Sequence, residues 1–441
     1  MMMGMQEMLM ALLFAAFGGA SGNELLDFVD ADSYFKSKGV EMTVESMMLE
    51  AKKPDVGADA SAKEAAVRRL LAIRTLGNLK DKKALGALNS FVDSKEMFVS
   101  DYAKSAIAKV TGKPLAINEA KLDQWKSNLP LLPKNTGAVL NLKLGSLNGN
   151  AGLMQKFKEM KNIKGMEKML GEMKKGMIDE AYPVIERIGN VRVDSITVAV
   201  AENVGNETGW VIGIINGEYD KLAIKDFVNQ DMADGMDRKQ VGSAAYFLPE
   251  DTVAFAFQDN HTISFIAGPG VEVLPLSEVQ TAIDTKNQTI TFSENLQKLI
   301  EKTNTKGNLC AAGLVTGEMV NTPFIKEFAT FRLETELKGK VINGTIIGEG
   351  KDAKLVKETM AMLEKMYTNF KDNELKDLKA EMPKSMKPMI TAAESLQFMT
   401  KEKEGIIRLA IPIVDPLEVV LGLLPVTVDE GVTKPEFIPA E

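Results

Sequence analysis

The residue types that most often carry catalysis or bind metals are nearly absent from this chain. Among 441 residues there is one histidine, His261, and one cysteine, Cys310. A Ser-His-Asp or Cys-His catalytic arrangement needs a histidine beside its nucleophile, and a zinc site needs several histidine or cysteine ligands. Neither kind of site is readily built within this one chain.

Two other patterns resemble functional motifs but have a simpler structural interpretation. Ser33 and Lys36 have the spacing of a serine/lysine catalytic pair, yet the companion motifs of that chemistry are missing. Gly344, Gly348 and Gly350 lack the spacing of a dinucleotide-binding loop, and we predict that they form a strand-to-helix turn. The chain also contains no G-x-x-x-x-G-K-[ST] phosphate-binding loop.

The remaining titratable candidates also favour structural roles. His261 follows Asp259 in a predicted hairpin loop, where an exposed turn residue is expected more often than an acid or base. Glu334 and Glu336 share one side of a predicted strand, so they could form a carboxylate pair, but a solvated sheet face is the simpler prediction. We therefore predict no catalytic, cofactor-binding or metal-binding residue, and enzymatic activity is left open.

Composition and charge restrict the class of partner. The hydrophobic content of 45% and the charged content of 26% are typical of a soluble globular protein with two or three domains. A net charge of −8 provides no basic surface for nucleic acid, so no nucleic-acid partner is expected. A single cysteine cannot form an internal disulfide, so packing must hold the fold together.

The N-terminus has the pattern of a secretory leader. Residues 8–17 form an apolar run that is shorter than the roughly 20 residues of a membrane span, and small residues follow it. Residues 1–22 are therefore interpreted as a signal-peptide-like leader, which predicts an extracytoplasmic (periplasmic or secreted) protein. The first seven residues lack Lys and Arg, so an amphipathic or buried N-terminal helix is the alternative. No later stretch is apolar enough to predict a membrane span.

Residues 60–112 carry a helical pattern within a predicted helical segment, 23–130. Ser61 and Glu64 match a capping box, and Gly77 and Asp81 are predicted to form a tight turn after the first helix. Three helices are predicted from apolar residues at helical spacing: Ala66, Leu70, Ile73, Leu76 and Leu79; Ala84, Leu85, Leu88, Phe91 and Val92; and Val99, Tyr102, Ala103, Ala106, Ile107 and Val110.

This segment resembles HEAT-type helical repeats of the short bacterial kind. The matching features are Leu76, Gly77, Asp81, Ala84, Leu85, Leu88, Asp93, Val99, Ala103 and Ala106. The resemblance implies a protein partner bound along the helical face. It covers only about one and a half repeats, whereas a solenoid needs about three, so the segment must pack on the helix before it or on the following domain.

The rest of the chain predicts an α+β domain in which antiparallel hairpins alternate with helices. Its first half is 131–305, its second half is 306–425, and 426–441 is an extended tail. The two halves could be divergent copies. In the first half, a methionine stripe at helical spacing between Met154 and Met177 predicts a helix packed on a sheet, and residues 244–267 predict a three-stranded meander.

The sequence therefore favours a non-enzymatic, exported binding or scaffold protein. One alternative is a carrier of an apolar ligand or lipid, with the sheet and the methionine-rich helix as walls of a cavity. Another is a carboxylate-based hydrolase. No cofactor is predicted.

Overall fold

The computed structural model describes a large part of the chain. The described residues are 26, 29–53, 60–113, 125–143, 188–202, 209–224, 226, 237–241, 244–248, 253–257, 259–267, 290–316, 320, 323–338, 341–381 and 387–412. The predicted leader (1–22), the methionine stripe (154–177) and the predicted tail (426–441) lie outside them.

The described residues include nine α-helices and two short 3₁₀ helices, Lys82–Ala84 and Leu129–Leu131. Over these residues, none of the helices is both long enough and apolar enough to cross a membrane. The α-helices are α1 (Ala31–Ser37), α2 (Val44–Lys52), α3 (Ala60–Leu79), α4 (Leu85–Asn89), α5 (Val99–Thr111), α6 (Trp125–Asn128), α7 (Glu294–Lys302), α8 (Ala353–Glu381) and α9 (Lys387–Glu394).

The described part of the chain also contains twelve strands, and ten of them form one antiparallel sheet in the order β11-β12-β10-β9-β8-β1-β2-β3-β7-β6. The α+β prediction is confirmed. The strands are β1 (Thr136–Lys143), β2 (Arg192–Ala201), β3 (Val211–Glu218), β4 (Asp237–Val241), β5 (Ala244–Leu248), β6 (Val253–Phe257), β7 (Thr262–Ala267), β8 (Leu309–Leu314), β9 (Phe328–Lys338), β10 (Val341–Gly350), β11 (Gln397–Lys401) and β12 (Glu404–Pro412).

Two sequence predictions of local structure are wrong, and one strand has no counterpart among the predictions. Strand β4 was not predicted, and β5 pairs with β4 in a separate two-stranded ladder, whereas the meander prediction joined it to β6 and β7. Gly344 and Gly348 lie inside β10, and Gly350 is its last residue, so the predicted strand-to-helix turn is wrong. A glycine pattern alone does not separate a turn from a strand in which neighbouring side chains approach closely.

The two predicted halves share one sheet because β8 pairs with β1. The boundary at 305/306 falls between α7 and β8. In each half, three consecutive strands form a meander, and a later hairpin adds its second strand to the third strand of that meander. In the first half β7 joins β3, and in the second half β12 joins β10. Within the described residues, the two halves thus have the same strand connectivity.

One face of the sheet, which we call the back face, packs against α6 and α7. Alternation along β1 to β3 and β8 points small and branched apolar side chains toward these helices. Ser293 begins α7, because its hydroxyl oxygen accepts the N–H of Leu296 at 3.4 Å. The buried residues of this core are Trp125, Leu129, Leu132, Val139, Ala199, Ala201, Trp210, Ile212, Ile214, Phe292, Leu296, Leu299, Ile300, Cys310 and Ala312.

A cluster of buried amide and hydroxyl side chains also lies on the back face. Asn128 Nδ2 donates to Thr197 Oγ1 at 2.8 Å and to Asn216 Oδ1 at 2.6 Å. Thr197 Oγ1 donates in turn to Asn141 Oδ1 at 3.0 Å. Because buried polar groups need partners, these bonds fix where α6 sits on β1, β2 and β3.

Helices α1 to α5 form a helical layer on the opposite face, which we call the front face. Helix α3 lies at its centre, and Leu70, Leu71 and Ile73 are all buried, so this helix is enclosed on several sides. The core of the layer continues into the sheet through Ile196 and Ile215. The segment 60–112 thus packs on neighbouring helices and on the sheet.

Two details of the helical prediction are wrong. Helix α3 begins at Ala60, so Ser61 lies within its first turn, and the Glu64 carboxylate accepts a hydrogen bond from Lys38. Gly77 lies inside α3, where a β-carbon would come within 2.7 Å of Ala106 Cα on α5. The glycine is therefore needed for the close approach of two helices.

We expect Gly77→Ala to lower the free energy of unfolding by about 1–3 kcal/mol, because the added methyl group would force α3 and α5 apart. Gly86→Ala in α4 is the matched control, because nothing lies within 4 Å of the added β-carbon. The control should be neutral or stabilising by up to about 1 kcal/mol. Urea unfolding measures both, and equal effects would contradict the close-approach explanation.

Candidate functional site

His261 lies in the turn between β6 and β7, and its side chain is exposed. The Asp259 carboxylate accepts a hydrogen bond from the backbone N–H of His261 at 2.7 Å. The His261 imidazole Nδ1 lies 3.2 Å from the carbonyl oxygen of Gly217. Asp259 therefore stabilises the backbone of the turn, as expected for an Asx-type contact.

Ser33 and Lys36 both lie on α1. The Ser33 hydroxyl donates to Asp30 Oδ2 at 2.9 Å, and Asp30 is the N-cap residue of the helix. Lys36 lies in the last turn, where a cation interacts favourably with the helix dipole. Ser33 thus supports the N-terminal cap, and Lys36 lies where its charge favours the C-terminal end of the helix.

The carboxylates of β9 are paired with cations of the same sheet. Arg332 Nη1 lies 3.1 Å from Glu334 Oε1, and Arg332 Nη2 lies 3.0 Å from Glu404 Oε1. Glu336 pairs with Lys338 at 2.9 Å. Glu334 and Glu336 therefore form part of a network of ion pairs on the back face of β9 and its neighbours.

An ion-pair cluster joins the helical layer to the sheet. Arg192 on β2 binds Asp101 of α5 at 2.8 Å, Asp194 at 2.9 Å and Glu218 of β3 at 2.8 Å. Its guanidinium also lies 5.5 Å from the ring centroid of Phe98. One arginine thus links two strands and a helix through charge-assisted hydrogen bonds.

Over the described ranges, no group of three or more His, Cys, Asp or Glu side chains is placed to hold a metal ion. Cys310 is buried in the back core, opposite Asn141 of β1. Chemistry of the charged and nucleophilic side chains therefore does not single out a site, and the apolar surfaces become the stronger candidates.

On the front face, the strand register places apolar residues and glycines directly beside one another in a row that crosses all ten strands. Its length is about 43 Å, from nine strand spacings of about 4.8 Å. Every position in the row is an apolar residue or glycine. In sheet order from β11 to β6 these are Phe398, Ile407, Ile346, Leu333, Ala311, Leu140, Val198, Gly213, Phe265 and Phe255.

Glycines beside large side chains keep the front face flat. A β-carbon on Gly313 would lie 2.4 Å from Phe331 Cζ, and one on Gly344 would lie 3.0 Å from Leu409. The large side chain therefore lies over its glycine neighbour instead of standing upright. The centre of the sheet therefore presents an apolar surface above which large side chains project little.

Two walls of helix flank this surface. The helical layer covers β2, β3 and β7 on one side, and Leu142, Val198 and Phe265 pack against the core that this layer shares with the sheet. On the other side α8 covers β12 and β11, with Met360 against Gly405 and Tyr367 against Phe398. We call the region between them the apolar trough; its floor is Leu140, Ala311, Phe331, Leu333 and Ile346.

The floor of the trough is only partly covered. Leu140, Phe331 and Leu333 are half-buried, and Ile346 is 41% exposed. On the α8 wall, Leu355, Met362 and Met366 are 42%, 47% and 51% exposed. Clustered exposure of large apolar side chains marks interaction sites more often than single exposed residues do.

The sequence predicts the alternation along these strands, but it does not predict the trough. Alternation predicts that one side of each strand is apolar, whereas the trough depends on which strands are neighbours and on their register. The glycines of β8 and β10 carried a usable signal, since isolated glycines in a strand often mark a close approach.

Comparisons with known proteins leave the function undefined. No family model and no curated protein matches the chain. Solved structures of TP0453 are similar in part, at low TM-scores. Crystal form III has a TM-score of 0.36 and 10% identity, and the match covers 66% of this chain and 96% of that one. Crystal form IV has a TM-score of 0.34 and 11% identity, with 68% and 98% covered.

We expect Arg192→Met to lower the free energy of unfolding by about 3 kcal/mol, because partly buried carboxylates lose their guanidinium partner. Lys338→Met is the control, since it breaks the Lys338–Glu336 pair, whose side chains are 65% and 57% exposed. That change should cost less than about 1 kcal/mol. Chemical denaturation measures both, and similar losses would argue against a structural role for the Arg192 cluster.

Proposed function

We propose that this chain is a non-enzymatic, exported binding protein and that the apolar trough is its binding surface. The observation that carries the proposal is the partly exposed floor, which lies between two helical walls. Antiparallel sheets commonly leave one face in water, but the side chains of that face are then polar. An apolar surface that stays open is therefore best explained by binding.

The arrangement of charged groups supports a binding role over hydrolysis. Hydrolysis by paired carboxylates requires both groups to reach the substrate. Glu334 and Glu336 each pair with a cation of β9, on the face opposite the trough. The trough floor itself consists of apolar side chains.

The trough is a better candidate surface than the HEAT-like segment. The central helix of that segment, α3, is enclosed by its neighbours and by the sheet. A protein partner on the outer side of the segment remains a secondary proposal, based on the repeat resemblance alone.

Export is proposed from the leader pattern alone, and Leu26 lies just after the predicted leader. Leu26 is buried, its N–H donates to Asn190 Oδ1 at 3.0 Å, and its carbonyl accepts from Arg74 at 2.8 Å. The chain is therefore held within the fold a few residues after the predicted leader ends.

Intact-mass analysis after expression in an exporting host tests this. We expect a mature chain that begins near Ser21 or Asn23, recovered from the extracytoplasmic fraction, because the small residues after the apolar run suit signal peptidase. An uncleaved chain in the cytosol would mean that the leader interpretation is wrong.

Replacement of Ile346 tests the binding surface. We expect Ile346→Glu to weaken binding of the fluorescent apolar probe anilinonaphthalene sulfonate by about tenfold or more, because a carboxylate in the floor must stay hydrated. Leu79→Glu is the matched control, since Leu79 is 38% exposed at the end of α3, outside the trough. Thermal melting should confirm that both variants are folded. Equal probe affinities in the two variants would place the binding surface elsewhere.

A further inference from the structure

We propose that the trough binds the hydrocarbon chain of a single-chain amphiphile and that it does not recognise the head group. This inference rests on the proposed function, because it names the ligand class of the same site. It follows from the chemistry of the floor, the direction of the α8 wall and the length of its apolar line.

The floor offers nothing that would bind a polar head. Its five residues are all apolar. The nearest polar side chain on the front face of β9 is Thr335, and it is already satisfied. The Thr335 hydroxyl donates to the carbonyl of Leu309 at 2.7 Å and accepts the N–H of Leu309 at 3.0 Å. A ligand must therefore bind through its apolar body, with any polar end left in water.

The exposed side chains of α8 form a second apolar surface. Leu355, Met362 and Met366 are seven and four residues apart, so they lie on one line along the helix. That line is about a quarter turn from the buried line of Val356, Met360 and Tyr367. It therefore lies on a flank of the helix and not on its outermost side.

The direction of α8 turns this flank toward the trough. The helix begins beside the end of β10, where Gly350 contacts Val356, and it runs toward Phe398 of β11, which contacts Tyr367. For a right-handed helix that runs in this direction over the front face, the flank of Met362 faces β10 and not the outer edge of the sheet. Ile346 lies on β10, so floor and wall form one apolar corner.

The length of the corner sets the length of chain that it can cover. From Leu355 to Met366 the helix rises about 16 Å. An extended alkyl chain advances about 1.3 Å per carbon, from carbon–carbon bonds of about 1.5 Å, so the corner accommodates about 12 carbons. Methionine side chains adapt their shape to such chains, which suits a wall that contacts a flexible ligand.

Calorimetry with three series of amphiphiles tests the proposal on the full chain. The probes are alkyl maltosides, alkyl sulfates and alkyltrimethylammonium salts with eight to fourteen carbons, below their critical micelle concentrations. We expect affinity to rise about fourfold per methylene. The rise should stop near 12 carbons. At equal chain length the three head groups should differ much less than a change of two carbons does.

Variants of the α8 wall test where the chain lies. In the double variant Met362→Gln, Met366→Gln, we expect affinity to stop increasing at a shorter alkyl chain, because the distal part of the apolar line is lost. Lys365→Gln on the same helix is the control, and it should leave the dependence of affinity on alkyl chain length unchanged.

Four results would overturn the inference. Affinity that depends on head-group charge but not on chain length would indicate surface adsorption. A dimer that dissociates on Ile346→Glu would mean that a second copy occupies the trough. The third result combines two observations: no series binds or displaces anilinonaphthalene sulfonate, but Ile346→Glu still weakens binding of that probe. The proposed function would then stand, and this ligand class would be wrong. If Ile346→Glu does not weaken binding of anilinonaphthalene sulfonate, both this inference and the proposed function are wrong.

Discussion

The antiparallel pairing of β8 with β1 is the constraint on which the rest of the architecture depends. It joins five strands from each half into one sheet. It also brings α6 and α7 onto the same side, so that Trp125 and Phe292 belong to one buried core. On the other side the same pairing places Ala311 beside Leu140. Without this ladder there would be neither a shared back core nor a continuous floor on the front face.

The two faces of the sheet are specified by different kinds of interaction. The back face combines close apolar packing with directional amide contacts such as those of Asn128, and these permit few alternative positions for α6. The front face carries an apolar row across the sheet and glycines beside large side chains, so it constrains its covering layers by shape more than by hydrogen bonds. Helix position on that face is instead fixed at the edges, for example by the Arg192 cluster between β2 and α5. This difference explains how the front face can stay partly open while the back face of β1, β2, β3 and β8 is closely packed.

Much of the fold could be predicted from the sequence, and most of the candidate site could not. Alternation predicted β1, β2, β9, β10 and β12, and amphipathic spacing predicted α5 and α7, because these signals lie within one element. Gly77 was assigned to a turn, since its actual partner, Ala106, lies in another helix. The trough could not be predicted for the same reason. Leu140, Leu333 and Ile346 are far apart in sequence, and only the strand register makes them neighbours. The scarcity of histidine and cysteine directs attention away from the commonest catalytic chemistries, but it does not indicate which apolar surface is left open.

The β1–β8 ladder also has a consequence for how the chain reaches this fold. Its partners are separated by about 170 residues, so β1 leaves the ribosome long before β8 exists. At synthesis rates of about 5–20 residues per second, one edge of β1 stays unpaired for roughly 10–30 s. An unpaired apolar strand edge is prone to aggregation during that interval. Non-local pairing of this kind also slows folding through the entropy of closing a long loop. A chain built around this pair should therefore depend on chaperones during synthesis more than a protein whose first strands pair locally.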